Sequence, residues 1–199
     1  MSSKTDIANM ALAFIRVENI LTDLDTDESY EGKTTRRFYQ HCVDMVLEEY
    51  EWTFADRTEE LGTSNDAPPT DWAYRYNYPD SCVKPHEIVN ATRNEDRTAF
   101  KVELAADDNT PTILCDIDGA CLRFTTSKFA NPGKWPAHFV DAVTYKLAIK
   151  LAGALKNQSN VLVQAEQLYR SALWNARYVD ETSHHLGKSQ KPSGIRARS

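Results

Sequence analysis

The sequence predicts an α+β fold, mainly α: an antiparallel helical bundle with a small inserted antiparallel β-sheet and an extended C-terminal tail. Three observations lead there. Apolar residues recur at the helical period near both ends of the chain, alternate at period two between about 73 and 126, and nearly vanish after Glu181. A chain of 199 residues, 41% of them hydrophobic, can bury one core, here assigned to a single domain over residues 1–181. Residues 182–199 read as a flexible basic tail, because SHHLGKSQKPSGIRARS has almost no apolar residues to build a core.

The elements follow in order. Ser3 and Asp6 have the spacing of a capping box, and Ile7, Met10, Ala11, Phe14 and Ile15 make a helix over about 4–16. A second helix over about 34–52, opened by Thr34 or Thr35, places Phe38, Cys42, Met45 and Val46 on one face. The stretch GTSNDAPPTD within 58–72 is turn-rich and admits neither a helix nor a central strand. Alternation then marks strands: Tyr74, Tyr76 and Tyr78, then Phe100, Val102 and Leu104, then Ile113, Cys115 and Ile117, then Ala120, Leu122 and Phe124. Asp107-Asp108-Asn109 and Asp118-Gly119 supply turns between them. Helices return at about 136–155, with Pro136 in the first turn, and at about 159–180, where Ala165, Tyr169, Ala172, Leu173 and Ala176 share a face.

The charge is −6 in total, yet Lys188, Lys191, Arg196 and Arg198 follow the last acid; the tail is +4 and residues 1–181 carry −10. An acidic body argues against a surface built to grip phosphates. No apolar run reaches the roughly 20 residues that span a bilayer, and the first residues lack a signal-peptide layout. A soluble, non-secreted protein without a membrane partner is expected. Catalytic, metal and cofactor motifs fail one by one. EGKTT at 31–35 lacks the earlier glycine of a phosphate loop, since position 27 is Asp. DIDGA at 116–120 has Ala120 where a calcium loop needs an oxygen ligand and Ser127 where it needs a glutamate, so a hairpin turn is the better reading. The four cysteines have no zinc spacing and read as free thiols, and the five histidines are scattered. The chain is not expected to be an enzyme.

Aromatics need their own explanation. Residues 50–82 hold Tyr50, Trp52, Phe54, Trp72, Tyr74, Tyr76 and Tyr78, which is 7 of the 20 in the chain. Stacking on nucleic-acid bases would want interleaved Lys and Arg, but Arg75 is the only base between Thr58 and Cys82. Core packing together with some interface remains, and the residues alone do not divide the two.

Two of these stretches carry a resemblance. YEWTFADR, with Trp52, Phe54, Ala55 and Arg57, followed by DWAYRYNYPDSC, with Trp72, Tyr74, Tyr76, Pro79, Asp80 and Cys82, is similar to the tail tubular protein A family. These are head-to-tail adaptor, or gatekeeper, proteins of short-tailed bacteriophages. One departure is that family first helices often run on through an Ile-Gly pair, whereas Ile15 is followed here by Arg16. The resemblance implies a structural virion protein, made in the host cytoplasm and without chemistry of its own. Twelve copies would form a ring between a portal protein and a tail nozzle protein of the tail tubular protein B kind. Genomic DNA would pass through the channel during ejection without specific binding. The basic tail, through Lys188, Lys191, Ile195, Arg196 and Arg198, would then contact the portal or a neighbouring subunit. No strongly apolar exposed stripe is evident in any segment, so the free protein is expected to be a monomer. The alternative is a small nucleic-acid-binding or regulatory helical module that uses the basic tail.

Overall fold

Ser3 begins the structure as a working cap. In the computed structural model, which describes residues 2–90, 93–105, 109–128, 131–156 and 159–185, the Ser3 hydroxyl accepts from the Asp6 N–H at 3.0 Å and the Asp6 carboxylate accepts from the Ser3 N–H at 2.8 Å. Helix α1 (Lys4–Phe14) ends sooner than expected because Arg16 turns left-handed, at φ 58°. The Arg16 N–H then bonds the Ala13 carbonyl and the Val17 N–H the Leu12 carbonyl, both at 3.0 Å. This pair of bonds satisfies carbonyls that a helix end leaves open, and it is the arrangement usually built on glycine.

Helix α2 (Tyr30–Glu48) starts before Thr34, not at it, because Ser29 caps it by accepting from the Gly32 N–H at 3.0 Å. Gly32 has no room for a Cβ, which would collide with the Asp27 side chain. The glycine of EGKTT therefore serves a tight helix entry. Helix α3 (Ala137–Leu151) gives way to a π-helical turn over Ala152–Lys156, and α4 (Ser159–His185) runs past the expected end into residues 182–185. The four helices bury one apolar core, including Ile7, Leu12, Val46, Phe139, Leu147 and Tyr169.

The remaining chain corrects the predicted fold class: it is not a helical bundle with a small inserted sheet. Seven strands are described: β1 (Asp56–Glu60), β2 (Tyr74–Asn77), β3 (Cys82–Asn90), β4 (Arg93–Thr98), β5 (Phe100–Leu104), β6 (Pro111–Cys115) and β7 (Cys121–Thr126). They form two antiparallel sheets, ordered β1-β7-β3-β4 and β2-β6-β5. A second core lies between them, with Ile88, Leu122 and Phe124 from the first sheet against Tyr76, Ile113 and Cys115 from the second. A module that buries its own core is a layer of the fold rather than an insert.

Local pattern hid three of these strands. DRTEE at β1 and RNEDRT at β4 carry no apolar residue, so only ladder partners define them. β3 contains Pro85, which lacks the N–H that an interior strand normally donates; the register between β3 and β7 shifts on both sides of it. The turn at Asp118-Gly119 closes no hairpin. It hands the chain from β6 in one sheet to β7 in the other, with Gly119 at φ 60°.

Trp52 stands where the helical core meets the sheets. It is 1% exposed, its indole N–H donates to the Val46 carbonyl at 2.9 Å, and its ring meets Tyr50 and Phe139 edge-on, each at 5.1 Å. Trp52→Ala should destabilise the monomer by about 3–5 kcal/mol in urea unfolding; a loss below about 1 kcal/mol would remove Trp52 from the core. Arg16→Gly should act oppositely, raising stability by about 1 kcal/mol through relief of the left-handed strain. An unchanged or lowered Tm would show that the Arg16 side chain compensates.

Candidate protein interface

Helix α4 is fixed at its C-terminal half by polar bonds to the corner after α2. Asp180, 8% exposed, accepts from the Thr53 N–H at 3.0 Å and the Thr53 hydroxyl at 2.6 Å. One residue on, Glu181 accepts from the Tyr50 hydroxyl at 3.2 Å, and Arg177 donates to the Glu49 carbonyl at 2.8 Å. Glu49 also accepts from the Tyr169 hydroxyl at 2.6 Å and pairs with Lys146 at 3.3 Å, joining α2, α3 and α4. Residues 177–181 of α4 are thus a platform tied to that corner.

On that platform two large rings point outward. Trp174 is 65% exposed and Tyr178 57% exposed, stacked with centroids 5.7 Å apart and planes 8° from parallel. Val163 and Val179 are also exposed on α4, while Ala165, Tyr169, Ala172, Leu173 and Ala176 face the core. The expectation of no exposed apolar stripe is therefore corrected. Trp and Tyr are the residues most enriched among those that carry binding energy between proteins, because each buries a wide ring at little entropic cost. An i, i+4 stack left in water recovers only about 0.2–0.5 kcal/mol. Most of its value would come from a partner.

The residues singled out in the sequence divide between the two cores. Trp52 and Phe54 pack in the helical core, with Phe54 and Phe139 at 4.8 Å. Tyr76 is fully buried in the β core, where Tyr74 stacks on it at 6.1 Å and its hydroxyl donates to the Ile117 carbonyl at 2.7 Å. Trp72 and Pro79 are half-buried, Asp80 is exposed, and Arg57 is an exposed partner of Glu59 at 2.9 Å. Lys188, Lys191, Ile195, Arg196 and Arg198 lie outside the described residues. Sequence reasoning missed Trp174 and Tyr178, although their places off the apolar face of α4 were a usable signal.

The titratable groups that gather do so structurally. Arg123 bonds Asp56 at 2.8 Å, Glu87 at 2.9 Å and Glu51 at 3.3 Å. Beside it His86 meets the Thr125 hydroxyl at 2.8 Å and lies 3.6 Å from Glu51. Burial pushes the Cys42 thiol up to about 11 and raises Cys82 and Cys115, the opposite of an activated nucleophile. No group of three or more His, Cys, Asp or Glu among the described residues is placed to hold a metal ion.

Burial holds the His86 pKa below its ordinary 6.5, against the opposing pull of Glu51. The unfolded chain then binds the extra proton first, so this contribution to stability is present above pH 6.5 and is lost as pH falls below it. Unfolding free energy should drop between pH 7.5 and 5.5, and drop less in His86→Gln. Equal slopes in the two proteins would show that His86 is not the group responsible. Sequence comparison matches this chain to no protein-family model and to no curated protein.

Proposed function

We propose that the chain is a structural head-to-tail adaptor of a short-tailed phage, a ring-forming subunit seated between a portal protein and a tail nozzle protein. The observation that carries this reading is the exposed Trp174–Tyr178 stack, held on a helix end that Asp180 and Glu181 tie to the corner. A helix end tied to the corner and presenting paired rings suits lateral contact with a neighbouring subunit. The family-like motif residues are consistent with a packing role, since Trp52, Phe54, Tyr74 and Tyr76 pack the two cores.

Twelve copies would surround a DNA channel. An acidic body favours passage of DNA without specific binding, because a wall of carboxylates gives phosphates nothing to displace their counterions for. The basic residues Lys188, Lys191, Arg196 and Arg198, with Ile195 as a small apolar anchor, reach the portal or a neighbour. Single exposed ion pairs contribute about 0–1 kcal/mol, but repetition on a symmetric platform raises effective concentration. On this reading one exposed pair of rings is too small a contact to hold copies together unaided, so the free 22.6 kDa chain is a monomer and the portal templates the ring.

The double variant Trp174→Ser/Tyr178→Ser should melt within a few degrees of the parent, because both rings are solvent-facing, yet fail to form rings on portal in negative-stain microscopy. Rings that assemble normally would mean that another face makes the lateral contact. A portal that recruits neither protein would overturn the adaptor reading itself.

A further inference from the structure

Arg16 holds a backbone conformation that side chains avoid. Its φ of 58° lies in the left-handed region, where a Cβ crowds the following carbonyl and glycine would fit freely. Strain kept at an exposed residue points to a use for its side chain. Arg16 lines a groove of about 520 Å³ formed by the loop after α1, the first turn of α2 and the π-helical turn after α3. Val17 and Leu155, both packed on the helical core, supply its apolar part, and Tyr30, 68% exposed, forms one wall. Arg16, Glu18 and Glu31 supply its charge. Neither Arg16 nor Glu18 has an ion-pair partner among the described residues.

The exposed end of α4 is the chemical counterpart of this groove. Tyr178 stacks on one face of the Trp174 ring, which leaves the other face open to a cation. One turn earlier Arg170 is exposed, and it too lacks an ion-pair partner among the described residues. The helix therefore offers a ring and a cation, and the groove offers a cation and a carboxylate. Arg16 suits the open face of Trp174, and Arg170 suits Glu18. Each charge left unpaired on one patch has its complement on the other.

The two patches cannot meet within one chain. Arg177 bonds the Glu49 carbonyl at the C-terminal end of α2, whereas Tyr30 and Glu31 open that helix. The 19 residues of α2 put roughly 27 Å between its ends. We infer that the Trp174–Tyr178 pair of one copy seats in the Arg16–Tyr30 groove of the next. The ring, though not the pairing itself, rests on the adaptor reading. Because the patches differ, the contact is head-to-tail. A copy engaged at one patch keeps the other open, so copies add in one direction until the arc closes. The contact is small and therefore transient between free chains, and a symmetric platform makes it lasting by raising effective concentration.

Disulfide cross-linking of full chains tests the pairing without portal. Asn19 lines the groove and Asn175 is exposed beside Trp174. Under mild oxidation, Asn19→Cys mixed with Asn175→Cys should link about tenfold faster than Thr58→Cys, an exposed control, mixed with Asn175→Cys. Adding Glu18→Arg to the first chain or Arg170→Glu to the second should slow the link about tenfold, and adding both should restore it. Linkage no faster than the control would overturn the pairing. So would Asn175→Cys linking to itself faster than to Asn19→Cys, the mark of a two-fold contact between rings. On portal, Arg16→Gly should carry fewer rings than the parent although its melt is not lowered. Equal rings from both would overturn the groove and keep the adaptor reading. A portal that recruits neither would overturn the adaptor reading, with the cross-link still deciding the contact.

Discussion

The fold depends on a corner. After α2 the chain turns at Trp52 and Thr53, leaves the helical core and enters β1. Two interactions hold that turn from opposite sides: the Trp52 indole N–H on the Val46 carbonyl at 2.9 Å, and the Asp180 carboxylate on Thr53 at 2.6 and 3.0 Å. The first is a buried donor that would cost heavily if unpaired. The second binds residues 127 apart in sequence, so the end of α4 settles only when the corner exists. Placement of the sheets relative to the helices and of Trp174 relative to both follow from that one clasp.

Charge and apolar contact have been separated around the corner. On the helical side, Phe54, Phe139 and Trp135 form an aromatic chain, with Trp135 and Phe139 at 5.1 Å. On the sheet side, Arg123 gathers Asp56, Glu87 and Glu51, and His86 stands next to them. Each of these carboxylates accepts a hydrogen bond from the one guanidinium. The network thus joins the connector after α2, β1, β3 and β7 without needing an apolar seam. This explains why β1 can be a strand while every residue in it is polar.

The sequence read well where local periodicity and burial coincide. The helices formed near their expected positions because each buries a single stripe, and Tyr74 and Tyr76 share a strand face because alternation has only one structural solution. It read poorly where partners decide. DRTEE becomes a strand only because β7 lies beside it, and CVKPHEIVN survives its proline by breaking register on either side of Pro85. One extra strand set turned a presumed insert into a two-sheet module with its own core. The candidate interface was not legible. The aromatic density at 50–82 drew attention to residues that prove structural, while Trp174 and Tyr178 went unnoticed in a helix whose apolar face was read correctly.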